Sequence, residues 1–284
     1  MKELRGRTAV ITGAAGGIGA GIAHALGEAG MNLVLADIEA DPLVKTTAEI
    51  DAYGVRTLAV PTDVADRGAV AALADAAHRE MGRVDVLCSN AGVGAFPPIA
   101  EATASDWDWV MSVNLGGMIN CLLAFLPRMK DQDGEKHIVL TASIAGLAPL
   151  NMTIYSTTKY AIVGMGESLA QESHANGYGI GVSVLCPGGV LTNFGTSDRN
   201  RPDRANTGLS APPRSERSRG SDPDSKYVPM DPRDIGVEVR HAIVEGDLYI
   251  VPHAHTRDLV DARHARIVAA YDKAASGGAE IASD

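Results

Sequence analysis

Tyr155 and Lys159 stand four residues apart in a stretch with helical periodicity, so their side chains leave one helix face a turn from each other. A phenol near pKa 10 is a poor base at neutral pH, and a neighbouring ammonium favours its phenolate. Such a pair can pass a proton to or from an alcohol or ketone oxygen. Ser143 lies upstream, just past a β-branched run, and its hydroxyl is suited to holding the same oxygen, which separates binding from acid–base work. A tyrosine and a lysine at this spacing are common on helix faces, so their meaning depends on the elements around them.

Those elements follow from hydrophobic periodicity. Short β-branched runs alternate with longer amphipathic stretches: strands are predicted at Thr8–Thr12, Asn32–Asp37, Arg56–Pro61, Val84–Ser89, His137–Thr141, Gly181–Cys186 and Leu248–Val251. Helices are predicted from Gly17 to Gly30, through Ser105–Lys130 and Ile154–Asn176, from Pro232 to Glu245 and over Thr256–Asp272. The pattern predicts a single α/β domain over residues 1–284, a Rossmann-type doubly wound parallel sheet of about seven strands with helices on both faces. Residues 193–230 are rich in Arg, Ser, Asp, Pro and Gly and read as a lid-like loop on the substrate side. Its arginines, Arg199, Arg201, Arg204, Arg214, Arg217 and Arg219, read as solvated charges. Residues 274–284 are expected to fray.

After the first strand comes Thr12-Gly13-Ala14-Ala15-Gly16-Gly17-Ile18-Gly19, opening a helix. Gly13 permits the tight turn, Gly17 lets backbone approach a pyrophosphate, and Gly19 allows close helix–sheet packing, with helix-end N–H groups facing the anion. Asp37 ends the second strand, where a carboxylate can accept from both hydroxyls of an adenosine ribose. It would repel a 2′-phosphate, and the turn has Gly16 and no Arg or Lys to receive one, so NAD is favoured over NADP.

Composition narrows the partners. A formal charge of −10 and the lack of a basic stripe argue against nucleic acid. The apolar runs are broken before a membrane-spanning length, and the start carries no signal-peptide pattern. Cys88, Cys121 and Cys186 sit in apolar sequence and read as buried, reduced thiols, so the expected location is cytoplasmic. His253, His255 and His264 lack ligand spacing and read as surface or interface histidines; no metal is expected.

Together Thr12-Gly-x-x-x-Gly-x-Gly19, Asp63-Val64, Asn90-Ala91-Gly92, Asn114, Ser143, Tyr155-x-x-x-Lys159 and Pro187-Gly188-Gly189-Val190-x-Thr192 occur in one order over roughly residues 5 to 195. In this the chain resembles the short-chain dehydrogenase/reductase family. The resemblance implies an NAD-dependent oxidoreductase that moves a hydride between the cofactor and a secondary alcohol or ketone. It places Asp63 and Val64 near adenine and Asn90 in the cofactor cleft. Further cofactor contacts are implied from Thr12, Ile18, Ala91, Gly92, Tyr155, Pro187 and Gly188. Asn114 would hold a water that relays protons to Lys159, Lys159 would also hold the nicotinamide ribose, and Val190 and Thr192 would fix the carboxamide. Asn114 mending a helix kink and Thr192 capping the next segment remain open alternatives. Two departures are small: Ser89 precedes Asn90 where a second asparagine is usual, and the interval from Ser143 to Tyr155 is about one residue short.

Between Ser143 and Tyr155 the sequence is mostly apolar. A pocket with Leu147, Leu150, Met152 and Phe194 suits a bulky hydrophobic or aromatic alcohol, although these residues serve equally well as scaffold. The C-terminal part is similar, more loosely, to bacterial dehydrogenases that oxidise the benzylic alcohol of lignin-type β-aryl ethers. The helices around Asn114 and Tyr155 resemble those of the family's interfaces, which implies a homodimer or homotetramer. Two other readings share the scaffold: a catalytically silent NAD-binding regulator, against which the intact Ser143, Tyr155 and Lys159 argue, and an epimerase or dehydratase with retained NAD, whose usual larger C-terminal domain is not expected here.

Overall fold

In strand β1 (Thr8–Thr12) every residue is buried, as an interior strand covered on both faces requires. It is an interior strand of a seven-stranded sheet ordered β3-β2-β1-β4-β5-β6-β7, in which every pairing is parallel. The other strands are β2 (Asn32–Asp37), β3 (Thr57–Pro61), β4 (Val86–Ser89), β5 (Lys136–Thr141), β6 (Ile180–Leu185) and β7 (Tyr249–Ile250). The computed structural model describes residues 1–202 and 229–281. Strand order reverses at β1, with β2 on one side and β4 on the other, so their carboxyl ends diverge into a crevice.

Alternate strand residues feed two cores. Val10, Val34, Leu87, Ile138 and Val184 point to a face covered by α3 (Arg67–Met81), α5 (Gly117–Lys130) and α6 (Thr153–Asn176). Ile11, Leu33, Leu35, Cys88 and Val139 point to the other, covered by α1 (Gly17–Glu28), α2 (Ala40–Asp51) and α7 (Pro232–Glu245). A short α4 (Ala104–Val110) begins with a Thr103–Asp106 capping box, and α8 (Arg257–Ile281) ends the described chain.

The structure departs from the sequence reading in three places. The single helix expected through Ser105–Lys130 is α4 and α5 joined by a wider turn, Met111–Gly116, with i→i+5 bonding around Asn114. The whole stretch Ala104–Lys130 is long and apolar enough to cross a bilayer by length and composition, contrary to the reading of broken apolar runs. Here it packs as a domain helix: α5 lies against α3, and Asn120 donates to Val64 O at 3.0 Å. Of the tail expected to fray from residue 274, residues up to Ile281 continue helix α8, and 282–284 lie outside the described residues.

The α1–α7 contact is close enough to need glycine on both sides. A Cβ on Gly236 would fall 2.0 Å from Gly21 O, and one on Gly21 would fall 1.9 Å from Pro232 O. Backbone cannot yield cheaply there. Gly236→Ala is expected to cost about 1–3 kcal/mol by thermal denaturation. The exposed Gly164→Ala, in helix α6 with nothing within 4 Å of the added methyl, should be neutral or stabilise by up to about 1 kcal/mol.

Candidate active site

The crevice at the strand ends is a cavity of about 1390 Å³. One half is built on the glycine turn. Gly13 and Gly17 have φ of +68° and +53°, and a Cβ on Gly17 would meet Thr192 Cγ2 at 2.9 Å. On Gly19 it would lie 2.0 Å from Gly13 O, so Gly19 works behind the cavity wall, seating α1 on the turn. Helix α1 has no side-chain cap at Gly16, which leaves its first N–H groups facing the cavity, as an anion site needs. Asp37 Oδ2 accepts from Ala15 N at 2.9 Å and Oδ1 from Glu39 N at 3.0 Å. Burial raises its carboxyl above the ordinary value, and those N–H bonds pull it back. The wall continues through Ile18, Asp63, Val64, Asn90, Ala91 and Gly92.

Thr12 is fully buried and does not reach the cavity, contrary to its expected cofactor contact. Its Oγ1 accepts from Asn90 N at 2.9 Å and Ala91 N at 3.1 Å, so it holds the wall in place. Asn90 completes the seam: its amide donates to Thr12 O and accepts from Thr141 Oγ1, joining the ends of β1, β4 and β5. A cradle that only glycine can form, an uncapped helix end and a carboxylate at the second strand end fit a dinucleotide with free ribose hydroxyls.

In the other half, α6 brings Tyr155 and Lys159 to the ends of β5 and β6. Lys159 is 3% exposed; its Nζ donates to Thr141 O at 2.9 Å and lies 5.4 Å from the Tyr155 ring centre. Burial pushes the amine down to about 8 and the phenol up to about 12. Desolvation therefore outweighs the lowering of the phenol that the sequence reading expected from Lys159. The interaction that pulls the phenol back down comes from the Ser143 hydroxyl. Ser143 starts the 3-10 turn Ile144–Gly146; its Oγ accepts from Ala145 N at 3.1 Å and donates to Pro187 O at 3.3 Å.

Asn114 is 1% exposed and lies behind the cavity wall. Its Oδ1 accepts from Val93 N and its Nδ2 donates to Val93 O and Thr158 Oγ1. A Cβ added to Gly92 would sit 3.4 Å from Asn114 Oδ1 and 3.7 Å from Lys159 Nζ, so the two polar groups flank one small gap. Asn114 thus braces the wide helical turn and also borders Lys159. Pro187, Gly188, Val190 and Thr192 line the cavity, and Thr192 Oγ1 accepts from Phe194 N at 3.2 Å, although Asn193 rather than Thr192 is the cap residue of the next segment.

Leu150, Met152 and Phe194 line the half of the cavity that holds Tyr155. Leu147 does not: it turns back from the end of the 3-10 turn into the main core, so it is scaffold. Two aromatics that sequence reasoning missed join the wall, Phe96 and Trp109. Phe96, Tyr155 and Phe194 form a triangle with ring centres 5.4 to 5.9 Å apart. Glycine-rich flanks hide Phe96 from any periodicity argument.

The lid-like segment is ordered where it is described. Residues Phe194–Asn200 form 3-10 turns kinked at Thr196; 203–228, with Arg204, Arg214, Arg217 and Arg219, lie outside the described residues. Arg199 and Arg201 are paired rather than solvated: Arg199 grips Glu39 across the cavity mouth, and Arg201, 8% exposed, bonds Asp106 at 2.5 Å and lies over Trp109. Their partners are far away in sequence, which no local pattern reveals. His253 is also buried, whereas His255 and His264 are exposed.

Fold and site together define a dinucleotide-binding α/β oxidoreductase. A family model for the short chain dehydrogenases matches residues 7–203, and the chain belongs to that family. It is 34% identical over 260 residues to a C alpha-dehydrogenase of Sphingobium sp. strain SYK-6, covering 91% of this chain and 84% of that protein. A CLA biosynthesis dehydrogenase/reductase of Lactiplantibacillus plantarum is 32% identical over 94% of this chain and 95% of its own length. A short-chain dehydrogenase from Burkholderia phymatum, solved in complex with NAD, superposes with a TM-score of 0.86 at 37% identity, covering 94% of this chain and 96% of that one.

The buried amine makes a testable demand on stability. Below pH about 8 the folded protein holds Lys159 charged in an unfavourable site; above the free amine's 10.5 that penalty is gone. Between those limits the unfolded chain binds more protons, so stability rises with pH. Urea denaturation should show this rise, up to about 3 kcal/mol relative to Lys159→Met. Parallel curves for the two proteins would contradict it.

Proposed function

We propose that this protein is an NAD-dependent dehydrogenase of a bulky hydrophobic or aromatic secondary alcohol, or the corresponding ketone reductase. The observation that carries the reading is the convergence of Ser143, Tyr155 and Lys159 on one cavity that also holds the glycine turn and Asp37. NAD would supply the hydride acceptor and, in its oxidised form, a positive ring charge. The glycine turn and the α1 N-terminus hold the pyrophosphate, Asp37 the adenosine ribose, and Asp63 and Val64 border the adenine. Val190 and Thr192 orient the carboxamide.

In oxidation the Tyr155 phenolate takes the proton from the substrate hydroxyl while Ser143 Oγ donates a hydrogen bond to the same oxygen; reduction reverses the transfer. Lys159, in its charged form, stabilises that phenolate and holds the nicotinamide ribose. Asn114, which borders Lys159, would hold a water that returns protons to solvent, a role supported by the nearness of both groups to Gly92. Phe96, Phe194, Leu150 and Met152 surround the substrate and favour an aromatic or otherwise large apolar group. Exposed Ile119 and Leu123 on α5 support a homodimer or homotetramer, and the three buried thiols support a cytoplasmic setting.

A screen of secondary alcohols, read by the absorbance of reduced nicotinamide with NAD and NADP in parallel, tests the reading. Aryl and bulky apolar alcohols with NAD should be turned over; exclusive use of polyols or acyl thioesters would refute the substrate assignment. Tyr155→Phe should lower kcat by about 10²- to 10⁴-fold while NAD affinity stays within a few-fold. Asp37→Ser should reduce kcat/KM for NAD and narrow the preference against NADP; unchanged preference would remove Asp37 from cofactor selection.

A further inference from the structure

His253 lies in the connection between β7 and α8, distant in sequence from every catalytic motif, and is 3% exposed. Both ring nitrogens are spent on consecutive residues of the turn that follows β6. Gly188 N donates to Nδ1 at 3.0 Å, and Nε2 lies 2.9 Å from Gly189 O, where only an N–H can bond a carbonyl. The imidazole is therefore neutral and carries its proton on Nε2. Burial favours that state, with His255 acting in the same direction and the bond to Gly189 O opposing both. The ring also packs tightly against the turn: a Cβ on Gly188 would meet His253 Cγ at 3.0 Å. His253 is itself fixed, its carbonyl accepting from Thr256 N and Oγ1.

The turn under this clamp has two chemical tasks. On one side Pro187 O receives the Ser143 hydroxyl, and on the other Val190 and Thr192 enter the cavity. Met230 N also donates to Gly189 O, so the carbonyl is held from two directions. We propose that His253 is a positioning residue for hydride transfer: its Nε2–H tautomer sets the Pro187–Thr192 turn and so fixes where the nicotinamide half of the cofactor lies against Ser143 and Tyr155. This rests on the NAD reading given above. It separates His253 from Asp37, which acts on the adenosine half only.

The two halves of the cofactor allow a direct test by calorimetry with NAD and with ADP-ribose, which lacks the nicotinamide. His253→Phe keeps a flat ring and removes both bonds. Its NAD affinity should fall on the order of tenfold while ADP-ribose binding stays unchanged. His253→Asn retains an acceptor near the Nδ1 position and should fall between wild type and His253→Phe, which also covers the case in which the Phe variant does not fold. Equal loss of both ligands, or loss of neither, would overturn the proposal. If wild type bound neither ligand, the dinucleotide reading would fail and the proposal with it. Independently of any ligand, ¹⁵N NMR of the histidine rings should show one buried Nε2–H tautomer that is lost in His253→Asn; a protonated ring or an Nδ1–H tautomer at that residue would overturn the clamp.

Discussion

The site depends on how closely helix α6 approaches the carboxyl ends of β5 and β6. Two glycines set that distance. A Cβ on Gly146 would fall 2.5 Å from Lys159 O, and one on Gly166 would fall 2.3 Å from Val184 Cγ2. The first contact brings the turn after Ser143 against the backbone of Lys159; the second beds the helix on the sheet. Only at that distance does Lys159 reach Thr141 O while Tyr155 shares a wall with Ser143. A methyl at Gly146 would push the serine turn and the helix apart, and the reacting groups with them.

Burial then gives the site its electrostatic character. Phenol and amine are both desolvated, which shifts each toward its neutral form, and neither is tuned by the other alone. Asp37 faces the same tension at the opposite end, with backbone N–H groups offsetting burial. Between them Asn90 ties three strand ends together, so the two halves of the cavity keep a fixed distance.

Much of this was legible in the sequence because it is local. The strand runs, the glycine turn and the Tyr155–Lys159 spacing are encoded by neighbours along the chain, and β1, β2 and α7 have the bounds the pattern predicts. Contacts between distant segments were not legible. Leu147 reads as pocket by its position between Ser143 and Tyr155, yet a single 3-10 turn directs it into the core. Arg199 and Arg201 read as solvated by composition, yet Glu39 and Asp106 neutralise them from elsewhere in the fold. His253 has no motif at all; its role exists only because β7 pairs with β6 and places the histidine over the Gly188–Gly189 backbone.

The central claim, that Tyr155 is the buried acid–base group, is tested most directly by ultraviolet difference titration of tyrosine ionisation in wild type and Tyr155→Phe, with and without saturating NAD. Of the seven tyrosines, one should ionise well below the ordinary value of about 10 when NAD is bound and not when it is absent, and that signal should vanish in the variant. A low ionisation that persists in Tyr155→Phe, or no NAD-dependent ionisation in wild type, would contradict the account.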